Sequence, residues 1–438
     1  MFKKSNSMTL HFNKNYTILF FFLVTFFSFF IGIASVIRDT GLLAYSTVLG
    51  STLLLFLFSY PIIKKSKILF LIMLYGFLAR FSLSIYQAFI GKLPSGNNDA
   101  IAFEKGSWLI SSAANNILDI FLINNGEFYY TFSAIIYYVF GRSQLLLQHL
   151  SSVLPGALLV LLAYKITQQL TNKEQPPLIA AGIVAFYPTL LQYSALTRRE
   201  TLVYFLSAVS IFYFLKWLNC SNNKYIFVSA ILLIGSSLFH SAMIFIGIVY
   251  IFFYVFYKPL IKKWSFSPIK ILLIIMLIPI IIGISHNAIF SKIPDLSVDS
   301  LEDTVLRKSD SSRGRTGYLQ EVSPNSIVEA VFQTPVRVTY FLFTPFPWQV
   351  KSFSDVYGFL LDTVPVYLLF IFSFKGLKSI KNRSKILYIF MILLLLSIAI
   401  PFSWGVANYG TAIRHRQKIV WIFIIIASIG WGKKQVSC

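Results

Sequence analysis

The chain has 438 residues, of which 56% are hydrophobic, 17% aromatic and only 12% charged, too apolar for a soluble globular protein of average usage. Its formal net charge is +22, but the lysines sit in short loops between apolar runs, where membrane orientation already explains them, so no nucleic-acid partner is expected. The two cysteines, Cys220 and Cys438, imply no disulfide framework.

Several apolar runs approach or exceed the roughly 20 residues a helix needs to cross about 30 Å of hydrocarbon, and no ten-residue alternating segments suggest a barrel. The expected fold is therefore all-α: a polytopic helical membrane protein forming a single integral membrane domain over 1–438. Twelve spans are predicted, at 17–37, 42–63, 68–90, 143–164, 177–195, 201–218, 225–239, 241–257, 269–286, 356–374, 386–405 and 417–432. The first follows Lys3, Lys4 and Lys14 without a convincing cleavage site and reads as a retained signal anchor. Two further apolar stretches, Phe128–Phe140 and the stretch Ile327 to Phe346 with its Pro335, Arg337 and Pro345, read as interfacial or re-entrant amphipathic helices.

The positive-inside rule places both termini in the cytoplasm, with 91–142, 287–355 and 406–416 facing out. Under this topology 20 of 26 Lys lie inside, whereas 11 of 12 Arg lie outside or within the membrane, Arg383 being the exception. Arginine outside runs against the rule, and its planar fork suits bidentate contact with phosphate, so an anionic outer partner is expected.

Asp99 and Glu104 lie in the first outer segment, "GNNDAIAFEKGSWL", either as solvated loop acids or as carboxylates that take a proton from a sugar hydroxyl or hold a cation. Arg80, in "YGFLARFSL", is a mid-span cation that must face the bundle interior. Arg198 and Arg199, in "YSALTRRETL", are either interfacial snorkelling residues or phosphate ligands, with Glu200 beside them. His240, in "SSLFHSAMIF", is either a structural hydrogen-bonding residue or a catalyst at the turn between two spans. In the large outer loop, Arg313 and Arg315 flank Gly314 and could approach a phosphate together, and Arg337 is expected to face a polar cavity. Trp348 and Phe346 fit sugar stacking or interfacial anchoring equally well. In "NYGTAIRHRQKIVWIF" the tail lysines Lys433 and Lys434 claim the inside, so Arg414 and Arg416 face out; a helix starting near Thr411 puts Arg414 on one face with Lys418 and turns Arg416 away, which favours Arg414 as the phosphate contact. No phosphate loop, HExxH or Cys/His metal spacing, or G-x-S-x-G elbow occurs, so no metal site is predicted.

The acidic loop, the Tyr-rich helix, "FG", "LLAYKITQQL" and "AAGIVAFYPTLLQYS" together resemble the amino-terminal half of GT-C membrane glycosyltransferases, over roughly residues 95 to 220. That resemblance implies that Asp99 stands at the sugar-transfer centre, although Asn98-Asp99 replaces the usual acidic pair and two extra spans precede the loop. The Phe239-His240-Ser241-Ala242 stretch resembles the Phe-His-x-Ser-Ala signature of EpsG and Wzy exopolysaccharide polymerases, and the Arg414 stretch resembles their carboxy-terminal Arg-containing loop. Together these imply an enzyme that polymerises O-antigen or exopolysaccharide repeat units carried on polyprenyl pyrophosphate, without a cofactor, among membrane lipids and with a chain-length regulator as possible partner. Two alternatives stand beside it: a GT-C monosaccharide transferase using a polyprenyl-phosphate sugar and a divalent cation, and a lipid-linked glycan flippase.

Overall fold

A computed structural model describes residues 41–266 apart from Lys65, Asn97, Asn98 and Asn125, then Pro268, Lys270, 315–319, Val322, Pro324, 326–378 and 382–431. The span expected at 17–37, that at 269–286 apart from Lys270, both chain termini and Arg313 lie outside the described residues. The chain is an all-α polytopic membrane protein. Among the described residues six helices are long and apolar enough to cross a membrane: α1 (Leu43–Ile63), α2 (Lys67–Ile90), α6 (Gln144–Leu170), α9 (Glu200–Cys220), α13 (Phe353–Gly376) and α14 (Lys385–Gly405). Between them run α3 (Asp99–Ala113), α4 (Ile117–Ile123), α5 (Phe128–Phe140), α7 (Gln175–Phe186), α8 (Pro188–Tyr193), α10 (Lys224–Phe239), α11 (Ile246–Phe256) and α12 (Ile327–Phe343), and α15 (Tyr409–Ile429) closes the series. A two-residue ribbon, Tyr257–Lys258 against Lys263–Trp264, is the strand structure among the described residues.

Local chemistry sets these boundaries. Side chains of Ser66, Asn116, Ser326, Ser352 and Asn408 accept bonds from the first-turn amides of α2, α4, α12, α13 and α15, satisfying donors that a helix start leaves open. The span expected at 177–195 is instead broken in two, because Pro188 pushes Tyr187 to an extended backbone (φ −61°, ψ 119°) and has no N–H to continue the ladder. The segments expected to span at 225–239 and 241–257 form shorter helices, the second opened by a 3-10 turn at Ser241–Phe245. The last helix starts at Tyr409, eight residues before the expected span at 417, so Arg414, Arg416 and Lys418 are all helical. Pro335 does not break α12, which runs continuously from Ile327 to Phe343. Three spans each contain one π turn, Tyr86–Ile90, His149–Val153 and Phe359–Thr363.

The chain divides into two compact units, unit 1 (Met1–Leu161 with Ala185–Thr201) and unit 2 (Leu162–Val184 with Leu202–Cys438). Unit 1 packs closely at small residues. A methyl on Gly76 would lie 3.0 Å from the Ala185 Cβ, a tight contact, and one on Gly156 would lie 2.5 Å from the Ser194 Oγ, close enough that a neighbour would have to shift. Unit 2 holds an aromatic core in which Phe214 stacks on Tyr250 at 4.0 Å and on Phe390 at 5.2 Å. There α13 and α15 cross at glycines: a methyl on Gly430 would sit 2.7 Å from the Gly376 amide nitrogen.

Candidate functional sites in the two units

In unit 1 the expected outer segment folds into α3, α4 and α5, and its acids close on arginines. Asp99 begins α3; its Oδ2 lies 3.3 Å from Arg198 Nη1, with the Asp99 side chain 47% exposed and that of Arg198 6%. Arg198 also donates from Nε (3.1 Å) and Nη2 (2.7 Å) to the Ser95 carbonyl. Glu127 pairs with Arg199 at 2.6 Å. Glu104 receives Arg142 on both oxygens, at 2.9 and 3.3 Å, and this fork holds the guanidinium above its ordinary value. Burial, with Glu127 and Asp99 nearby, pushes the Tyr130 phenol up against the opposing pull of Arg199, which marks these groups as neighbours. Arg198 and Arg199 precede the first turn of α9 and part to different acids, neither of them the adjacent Glu200, which is fully buried. Tyr193 is buried with its ring 6.0 Å from Arg198, a packing residue and not a membrane-belt residue.

In unit 2 the basic residues meet aromatic faces. His240 caps the end of α10; its ring lies 5.4 Å from the His415 ring, and both lean on Phe402, at 5.0 and 4.9 Å. The fully buried Lys418 places Nζ 2.8 Å from His415 Nδ1 and 5.0 Å from the Phe402 ring centre. If Lys418 donates as an ammonium, His415 carries its own proton on Nε2. Arg337, on α12, is 4% exposed and places its guanidinium carbon over the Trp404 ring, 4.1 Å from the ring centre. It donates from Nε and Nη2 to the Gln333 side chain and from Nη2 to the Val322 carbonyl, while Nη1 makes no hydrogen bond among the described residues. Burial pulls this guanidinium below its ordinary value, opposed by Tyr318. Trp404 is fixed in turn by donating to Thr334 at 3.1 Å.

Three further predicted arginines, Arg315, Arg80 and Arg416, are committed to the protein. Arg315 closes on Asp355 at 2.5 and 3.1 Å, and Tyr409 donates to the same carboxylate at 2.9 Å. Beside this node Tyr318 and Tyr409 exchange backbone bonds with Ala407 and Thr316, tying 316–318 to the start of α15. Arg80 donates from Nη1 to the Gly76 and Ala185 carbonyls, at 2.9 and 2.8 Å. Arg416 pairs with Asp362 at 3.2 Å with both side chains fully buried, and donates to the Leu342 and Thr344 carbonyls. Arg414 is half-buried on the first turns of α15, and Arg313 lies outside the described residues.

The structure thus groups Asp99 with Arg198, and His240 with His415 and Lys418, while Glu104, Arg199, Arg315, Arg80 and Arg416 each go to separate protein partners. Among the described residues no three His, Cys, Asp or Glu side chains are placed to hold a metal ion. Sequence reasoning passed over His415, Phe402 and Trp404. Their signal was the aromatic run "PFSWG" at the end of a span, facing a basic stretch across a short loop.

No family model matches the chain, and no curated protein matches it. Among solved structures, the archaeal oligosaccharyltransferase AglB from Archaeoglobus fulgidus, determined with an inhibitory peptide and a dolichol-phosphate, aligns with a TM-score of 0.41 and 13% identity, covering 81% of this chain and 50% of that one. The chain therefore spans about half the length of that protein. At that level of likeness, function has to be read from this chain's own residues.

Proposed function

We propose that the chain is a membrane glycosyltransferase acting on polyprenyl-pyrophosphate-linked glycans at the outer face of a bacterial inner membrane, joining O-antigen or exopolysaccharide repeat units. The observation that carries this reading is Arg337. Its guanidinium is nine-tenths buried, has no carboxylate partner among the described residues, and keeps Nη1 uncommitted. A buried cation without a counter-charge is costly, and an anionic ligand offsets that cost.

In the reaction the acceptor hydroxyl oxygen bonds to the anomeric carbon, and the bond from that carbon to the pyrophosphate oxygen breaks with its electron pair. The hydroxyl proton passes to a base. Guanidinium and ammonium groups in a poorly hydrated site stabilise the charge developing on the pyrophosphate, which is the role assigned to Arg337, Arg414 and Lys418. Each unit carries its own candidate for the proton: unit 2 holds His240 and His415 as candidate bases beside its own cations, and unit 1 holds Asp99, the half-exposed carboxylate of its outer segment, beside Arg198, as the group that takes the acceptor's proton. Asp99 also favours the second reading, a single-sugar transferase, because its carboxylate stays open to solvent beside Arg198, where it could also meet a divalent cation. A flippase has less support: the deep cations Arg80 and Arg416 are bonded to backbone carbonyls and do not form a path of charges.

The test is Arg337→Ala and Arg337→Lys in cells, with glycan resolved by length on gels. Arg337→Ala should abolish long chains at normal protein level, and Lys should restore only part, since an ammonium cannot present the same fork. Unchanged chain length in Arg337→Ala sinks the reading.

A further inference from the structure

The turn that leads into Asp99, Leu93–Gly96, is held more tightly than a membrane-surface loop requires. Each of its four carbonyls is taken. Leu93 O accepts the Gly96 amide at 2.8 Å, Pro94 O accepts Gln192 Nε2 at 2.5 Å, Ser95 O accepts Arg198 twice, and Gly96 O accepts Gln87 Nε2 at 3.0 Å. Gln87 closes the other end by accepting the Leu93 amide on Oε1 at 2.7 Å. Gln87 is 1% exposed and sits on the π turn of α2, whose extra residue per turn re-aims side chains relative to a regular helix. The turn has little freedom to move: Ser95 holds φ +60°, and a methyl on Gly96 would meet Gln87 Oε1 at 2.3 Å. Loops normally satisfy their carbonyls with water, so a loop clamped by three side chains from neighbouring segments points to a placement requirement.

We propose that Gln87 and Gln192 are positioning residues for Asp99. By fixing the turn they hold the Ser95 carbonyl where it anchors Arg198, and Arg198 then holds one oxygen of Asp99 in place. This rests on the reading of Asp99 as the group that takes the acceptor's proton. It also changes the part assigned to Arg198, from a phosphate ligand to the link between turn and carboxylate.

The experiment uses the full chain in lipid vesicles, with lipid-linked glycan extracted from cells lacking it as the probe. Gln87→Leu should lower kcat by about tenfold to 100-fold, the scale of a misplacement near 1 Å, while KM changes less than about twofold. Gln87→Glu, which keeps the acceptor for Leu93 N and loses the donor to Gly96 O, should recover part of that rate. Gln192→Leu acts on a different carbonyl and should show the same kcat loss with KM held. On an Asp99→Asn background Gln87→Leu should cost nothing more, because both act through one group. Wild-type kcat in both glutamine variants, a loss confined to KM, or a full additional loss on Asp99→Asn overturns the proposal. Full activity of Asp99→Asn alone instead sinks the reading of Asp99, and this inference with it. If Gln87→Leu fails to accumulate, Gln87→Glu and Gln192→Leu give the same decision.

Discussion

Arg80 in unit 1 and Arg416 in unit 2 can be compared directly. Both are fully buried, and both donate to carbonyls beside a proline that interrupts a helix: Ala185 O before Tyr187-Pro188, and Leu342 O and Thr344 O before Pro345. Proline offers no N–H to continue the ladder, so the carbonyls upstream lose their partners where no water replaces them. Arginine supplies several donors on one side chain. Arg416 is in addition paired with the buried Asp362, which Gln417 bonds at 3.0 Å. Arg337 departs from both: it lies over the Trp404 ring, and its Nη1 makes no hydrogen bond among the described residues. Burial is therefore common to all three arginines, and what their donors reach is what distinguishes Arg337, the one of them proposed as a ligand contact.

The strongest way to break this comparison is at Arg416. Arg416→Met leaves Asp362 buried without its cation and takes the guanidinium donor from the Leu342 carbonyl, while the Thr344 carbonyl keeps Thr363 Oγ1 at 2.9 Å, so stability should fall by about 3 to 5 kcal/mol, chiefly through the uncompensated buried charge. Arg416→Lys should recover little, because one ammonium cannot reach both carbonyls and the carboxylate. Both are read from the thermal midpoint of the detergent-solubilised protein. A midpoint shift no larger than that of an exposed substitution would show that Arg416 is not the helix-end donor. The effect at Arg80 should be smaller. Arg80→Gln keeps one donor group and should cost about 1 to 3 kcal/mol, the range for leaving a buried acceptor unsatisfied. Normal glycan length from whatever protein folds would confirm a structural role; short glycan at normal protein level would move Arg80 to the reaction.

Much of this was legible in the sequence, and the residues show where reading stopped. A cation in the middle of "YGFLARFSL" stands out because hydrocarbon makes it expensive, yet its partner is a carbonyl 105 positions away, and carbonyls leave no mark in a sequence. Hydropathy finds apolar runs, so it predicts a span across 177–195; the break at Pro188 is written in the same residues but is weighed only as one proline among apolar neighbours. The π turns are harder still. One added residue leaves the apolar content of a span unchanged, so Gln87, Ser152 and Asp362 look like ordinary polar residues within helices. Each in fact makes a buried bond: Gln87 to Gly96 O, Ser152 to Leu196 O, and Asp362 to Arg416. His240 is visible through its motif and Lys418 through its place on one face with Arg414, but His415 reads only as part of a basic cluster until α15 folds both against Phe402.

The finest distinction is between Asp99 and Glu104, which a sequence presents as equivalent loop acids five residues apart on α3. Arg142 covers both oxygens of Glu104, whereas Arg198 meets Asp99 at Oδ2 and leaves that side chain 47% exposed. A carboxylate with both oxygens engaged by a guanidinium fork must break two charge-assisted bonds before it can accept a proton. Glu104→Gln should therefore leave glycan length unchanged and cost at most about 1 kcal/mol of stability, the ceiling for a partly exposed ion pair. Asp99→Asn should remove long chains at equal protein level. The pair of variants is compared in one strain background, by glycan length on a gel and by thermal midpoint in detergent. Loss of long chains in Glu104→Gln with Asp99→Asn unaffected would reverse the assignment and place the working carboxylate behind Arg142.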